Sequence, residues 1–283
     1  MRISYCNWGM MKMGPEEGLP AIAKIGYTGV EIAVTPKWPC DVDTLDAARR
    51  KQIKQLCKDN GLVISAVAGH TSFSEDDPDK HAANMKRIKA SIDLAAEWRS
   101  DGEPAIMASL MGGHEDDWGR QKNLIAERVY AIGEYAKSKD VIFAVEPHSG
   151  TTLDLPRKVV WLMEQVKHPN VKCNFDISHF EIRAIPFEDC VPQLVPYSVH
   201  THVKDQRGIY PYHEFLTPGS GPFRFDLYLK AMHAAGYTGW IGMEVSVMVQ
   251  RKPGYDPVVD AALGYFALVR AFNETGVPLQ TRD

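Results

Sequence analysis

Four short apolar runs in this sequence each end on a side chain that can bind a cation or move a proton. VIFAVEPH stops at Glu146 with His148 two places on, and VKCNFDISH stops at Asp176 with His179 three places on. SVHTHVKDQR carries His200, His202, Lys204, Asp205 and Arg207, and WIGMEVS stops at Glu244. A buried run rarely holds an ionised side chain without a partner, because desolvating a lone carboxylate is very unfavourable. Three carboxylates converging on one point repel each other unless a cation holds them. Glu146, Asp176, Glu244 and the imidazole of His202 therefore read as a site for one divalent metal ion. This oxygen and nitrogen donor set suits Mn²⁺ first, with Mg²⁺, Co²⁺ or Zn²⁺ as alternatives, and the lack of thiolates argues against a structural zinc site.

The bland reading of any one of these residues is structural: a strand-end glutamate caps a helix or pairs with a lysine. It is the set of four that points to a metal. Glu31 and His70 end the second and third runs, and His114 follows the fourth. His200 and His202 are read as facing opposite ways along one strand, so that at most one is a central ligand. His81, His168 and His233 fall in helical or turn segments and are expected in solvent. Cys6 and Cys173 sit in strand-like runs, where a packed thiol is expected rather than a nucleophile.

The elements that must position this set alternate along the chain. Strand candidates fall at 2–6, 29–33, 63–67, 105–110, 141–145, 171–175, 198–203 and 240–245, each bounded by Gly, Pro or polar turn residues. Segments 15–25, 42–60, 80–98, 121–139, 155–166, 225–236 and 256–273 carry apolar residues at helical spacing. Strands alternating with helices predict a parallel sheet with helical crossovers. An open doubly wound sheet usually carries a glycine-rich phosphate fingerprint after its first strand, whereas YCNWGMMKMG has none. The expected fold is a single-domain (β/α)₈ TIM barrel over residues 1–283. Its active site is expected at the carboxyl ends of the strands, where the four candidate ligands lie.

Composition narrows the function. Hydrophobic residues make up 45% of the 283 and charged residues 24%, which excludes a disordered chain. A net charge of −4 with no basic stripe argues against a nucleic-acid partner. No apolar run approaches the ~20 residues of a membrane span, and the first residues lack the apolar core of a secretory signal. The five cysteines are scattered and never spaced as CxxC, as expected of reduced thiols in a cytoplasmic protein.

The stretches GYTGVEIA, VEPH, NFDISH, HTHVKD and GSGPFRFDLYLKAMHAAGYTGWIGMEVS resemble the xylose-isomerase-like barrel superfamily. They are most similar to sugar (phosphate) isomerases and epimerases of the tagatose/psicose 3-epimerase type. The resemblance implies Glu146, Asp176, His202 and Glu244 as metal ligands, with His179 and Arg207 contacting substrate hydroxyls. It also implies a metal-stabilised enediolate, with Glu146 and Glu244 exchanging protons with the two faces of one carbon. His70 and Lys204 are then candidates to bind hydroxyls, while Trp8, Phe73 and Trp118 could form an apolar wall. His148 is a further candidate acid or base. With it the same chemistry could expel a leaving group, as in the catalytic subunit of C-glycoside deglycosidases, which act on 3-keto-glycosides beside a small second subunit. Related barrels include an abasic-site endonuclease, but the acidic ligand expected two residues before His213 is Pro211. A binding module that has lost its activity would lack ligands, and none of the four is missing. The expected partner is a small sugar or keto-glycoside, in a homo-oligomer or, for the lyase, a hetero-oligomer. Basic residues near the mouth are few (Lys37, Arg207, Arg251, Lys252), which favours a substrate without phosphate.

Overall fold

The computed structural model describes residues 1–281. Ten strands form: β1 (Arg2–Cys6), β2 (Gly29–Ala33), β3 (Val63–Ala68), β4 (Ala105–Leu110), β5 (Val141–Glu146), β6 (Val171–Asp176), β7 (Ser198–Val203), β8 (Asp205–Arg207), β9 (Glu214–Leu216) and β10 (Trp240–Met243). All but β8 and β9 close a parallel barrel in the order β1-β10-β7-β6-β5-β4-β3-β2. The helices are α1 (Pro15–Ile25), α2 (Ala47–Asp59), α3 (Pro78–Glu97), α4 (Trp118–Ser138), α5 (Pro156–Val166), α6 (Ser178–Glu181), α7 (Phe187–Leu194), α8 (Phe225–Ala234), α9 (Val247–Gln250) and α10 (Pro257–Thr275). The expected TIM barrel is the fold observed.

Period-two alternation explains why these strands carry a site. In β2, β5, β6, β7 and β10 the outward residues Val30, Ile32, Phe143, Val145, Phe175, Val203, Ile241 and Met243 join the core. That core packs against helix residues such as Ile22, Ile92, Val129, Leu162, Leu229 and Leu268. The alternate positions face the barrel axis, and each candidate ligand has a small or polar residue two places before it. Ala144 lies under Glu146, Asn174 under Asp176, His200 under His202 and Gly242 under Glu244. Only glycine fits at 242, since a Cβ there would lie 2.5 Å from the Thr201 carbonyl oxygen.

Helix starts follow from capping. The Asp77 carboxylate accepts from the amides of Asp79 and Lys80 at α3, and Asp256 does the same for Val258 and Val259 at α10. Five of these elements escaped the periodicity: the four-residue helices α6 and α9, and two larger features. One is α7, short and interrupted by Pro192. The other is the antiparallel ribbon β8–β9, which rises between β7 and α8. The ribbon is anchored by Asp205, whose buried carboxylate accepts from the amides of Gln206, Gly219, Gly221 and Phe223 at 2.8–3.1 Å. This contact accounts for the GSGPF segment, which folds around the carboxylate.

All five cysteines are free and buried. Burial pushes the Cys40 and Cys57 thiols up to about 12 and raises Cys6, Cys173 and Cys190 as well. The thiolate is the reactive form. The native protein at pH 8 is therefore expected to leave DTNB unreacted over minutes and to release five equivalents of thiol in denaturant. Rapid reaction of a native thiol would contradict this packing.

Candidate metal centre at the barrel mouth

The carboxyl ends of β5, β6 and β7 and the residue just after β10 bring Glu146, Asp176, His202 and Glu244 together. One ligand atom from each lies within 4.8 Å of all the others, and all four residues are buried. The geometry is set mainly by His202. Its Nδ1 faces Glu244 Oε2 at 3.1 Å and Glu146 Oε1 at 3.5 Å, and its Nε2 faces Glu31 Oε1 at 2.9 Å. A carboxylate behind the far nitrogen fixes the ring's orientation and turns Nδ1 toward the cluster, the arrangement commonly seen behind metal-bound imidazoles.

Glu31 was visible in the sequence as a strand end but carried no stated role. It is fully buried, accepts from Cys6 Sγ at 2.8 Å, and lies 3.5 Å from His200 Nδ1. Burial alone would raise its pKa, yet His202 facing it holds it down at about 2. His200 corrects the expectation about the histidine pair. Residues two apart on a strand share a face, so both rings point inward. His200 sits one layer below the ligands, with Nδ1 on Asn174 Oδ1 at 3.1 Å and Nε2 on Ser65 Oγ at 3.2 Å. Burial pushes it down to about 4, and it stays neutral. Asn174, missed by the sequence reading, donates to Glu146 Oε2 at 3.0 Å.

The charges around the cluster explain its pKa values. Lys204 donates from Nζ to Asp176 Oδ2 at 2.6 Å and to Glu244 Oε1 at 2.7 Å. Burial opposes its charge, but those carboxylates outweigh it and raise the ammonium further. Burial likewise opposes the Glu244 carboxylate, and Lys204 with His202 holds it well below the usual range. Glu146 is also lowered, by His202 and His70 against burial. In Asp176 burial wins over Lys204 and the pKa rises.

Above the cluster opens a cavity of about 170 Å³ lined by Trp8, His70, His148, His179, Lys204 and Phe215, among others. His70 Nε2 stands 3.8 Å from Glu146 Oε2. The His148 and His179 rings are in contact, with centroids 3.7 Å apart and planes tilted by 37°, and His179 Nε2 lies 3.3 Å from Asp176 Oδ2. Phe215 comes from the ribbon, edge-on to His179, and no sequence signal marked it.

Other expected residues lie elsewhere. Arg207 sits on the ribbon with its side chain 65% exposed, paired with Glu214 and outside the cavity lining. Trp118 starts α4 and packs edge-on against Trp161, with Lys158 over its ring. Phe73 is a core residue against Phe143. His114 pairs with Asp116 in solvent, whereas His168, expected there, is buried with Nε2 2.7 Å from Glu134.

Residues 19–262 match the xylose isomerase-like TIM barrel family, and the chain belongs to it. Among curated relatives, a putative hydroxypyruvate isomerase of Streptomyces coelicolor is 25% identical over 256 residues, covering 84% of this chain and 85% of that protein. An inosose dehydratase of Geobacillus thermodenitrificans is 23% identical over 283 residues, with 86% and 87% covered. The fold is shared with a D-psicose 3-epimerase crystallised in the presence of D-fructose, at TM-score 0.79 and 17% identity over 98% of this chain and 100% of that one. It is shared equally with a zinc-containing IOLI protein, at TM-score 0.79 and 15% identity over 97% and 99%.

Proposed function

We propose that this protein is a divalent-metal-dependent isomerase or epimerase of keto sugars. The observation that carries this reading is the buried cluster of three carboxylates and one oriented imidazole under a small polar cavity. The donors fit a divalent ion: hard oxygens, one imidazole nitrogen already aimed inward, and no thiolate. Mn²⁺ is the first candidate. A cation held there supplies Lewis-acid stabilisation of charge developing on substrate oxygens and acidifies the neighbouring C–H.

The chain's own groups do the rest. Glu146 and Glu244 come from strands separated by β6 and β7 in the ring and approach the cavity from different sides. One removes a proton from the substrate carbon and the other returns a proton to the opposite face. Because their carboxylates are weak bases, the substrate's own acidification carries most of the driving force. His70, His179 and Lys204 hold hydroxyls, and Trp8 with Phe215 keeps water out.

A second reading, elimination of a leaving group from a 3-keto-glycoside, is favoured by the contacting imidazoles of His148 and His179. An imidazole beside the cavity can protonate a departing oxygen, and the dehydratase relative is named for a lyase-type reaction. The test is incubation of the metal-reconstituted protein in D₂O with free ketohexoses and 3-keto-glycosides, followed by NMR. Deuterium at one carbon of an intact ketose is the expected result. Aglycone release with ketoses untouched moves the protein to the lyases, and a folded, metal-loaded protein that exchanges nothing overturns both.

A further inference from the structure

Beside the small cavity lies a larger one of about 770 Å³. Ligand sites for small molecules usually span roughly 300–1,000 Å³, a range that the larger chamber fits and the 170 Å³ cavity over the carboxylates does not reach. The two share Val247, and their other bordering residues are chain neighbours: Trp8 and Ser246 line the small one, while Gly9 lines the large one. Gln250 ties this partition together, donating from Nε2 to the carbonyls of Trp8 at 3.0 Å and Val245 at 3.1 Å. Both chambers therefore open at the same end of the barrel, around the segments that follow β1 and β10.

The lining of the larger chamber is chemically specific. Met10, Met11 and Met13 give it a polarisable apolar wall that adapts to shape. Lys12, Lys37, Arg251 and Lys252 ring it, against the one carboxylate of Glu17. Lys252 pairs with Glu214 at 2.5 Å, a carboxylate it shares with Arg207. Lys12, Lys37 and Arg251 form no ion pair among the described residues. Lys37 lies in an exposed turn and holds φ at +80°, a left-handed conformation unusual for a residue with a side chain. Three unpaired cations around a methionine wall, on a chain of net charge −4, form a local anion-attracting site.

We propose that this second chamber receives the substituent of a substituted sugar, an apolar body carrying a negative charge, while the sugar ring sits over the carboxylate cluster. The proposal rests on the keto-sugar reading above and narrows it to glycoside-like substrates. Calorimetric titration of the metal-loaded protein with methyl, phenyl and 4-carboxyphenyl 3-keto-glucosides tests it, with fructose and fructose 6-phosphate beside them. Affinity is expected to rise about tenfold from methyl to phenyl and about tenfold again to carboxyphenyl, each step equal to ~1.4 kcal/mol. Arg251→Glu and Lys12→Glu are exposed changes that should remove the carboxylate's advantage. Equal affinity for the three glucosides, or no binding at all, overturns the chamber. So does a gain for fructose 6-phosphate without any gain for phenyl, which would make the site a phosphate pocket. Failure of the underlying reading is separate: the affinity ladder would persist while no carbon takes up deuterium in D₂O.

Discussion

Glu244→Gln, loaded with metal, is expected to turn over a keto sugar about 10²–10⁴-fold more slowly than the native protein. The substitution keeps the shape of the side chain and an oxygen that can accept from Lys204, 2.7 Å away in the native protein. What it removes is the negative charge and the capacity to carry a proton. In the proposed exchange that loss strikes one face of the carbon only. Single-turnover NMR in D₂O should therefore show the variant failing to place deuterium on one face while wash-out from the other persists longer. Glu146→Gln is expected to show the complementary defect. If Glu244→Gln keeps turnover within about threefold at full metal occupancy, Glu244 is not a proton carrier, whatever its place in the cluster.

Glu31→Ala carries the second large effect, and it acts at a distance. Glu31 does not reach into the cavity; it faces His202 Nε2 from behind at 2.9 Å. Removing partners of this kind typically lowers metal affinity about 10–100-fold. Competition against a chromophoric chelator should show that drop, and Glu31→Gln, which keeps an acceptor oxygen, should recover most of it. At saturating metal the turnover of both variants should return toward native values. A fall in thermal stability with unchanged metal affinity would mean that Glu31 serves only to satisfy the buried His202, His200 and Cys6.

The contrast between Glu31 and Glu244 shows where the sequence is readable. Parallel strands buried on both faces appear as apolar runs, so the barrel strands stand out, and so does a charge that ends one. Glu146, Asp176, His202 and Glu244 are legible for that reason. Glu31 lies in the middle of β2, and nothing in GVEIA says that its partner lies on a strand 171 positions away. Phe215 and Arg207 lie on strands of three residues, too short for any period to register. Trp118 illustrates the opposite failure. An aromatic near the mouth looks like a wall, but the first turn of α4 directs it to Trp161 on the neighbouring α5. His200 was expected to face away from His202, whereas the period of two puts both on one face, and its inward position supplies the polar layer beneath the candidate ligands.

The barrel closes by pairing β1 with β10, joining residues 2–5 to residues 240–243. Glu244 follows that last strand directly, so it is the last of the four cluster residues to be synthesised. A nascent chain arrested before β10 holds Glu31, Glu146, Asp176 and His202 but has neither the ring that aligns them nor the carboxylate that completes them. Competence for chemistry and topological closure thus arrive in the same step of biosynthesis.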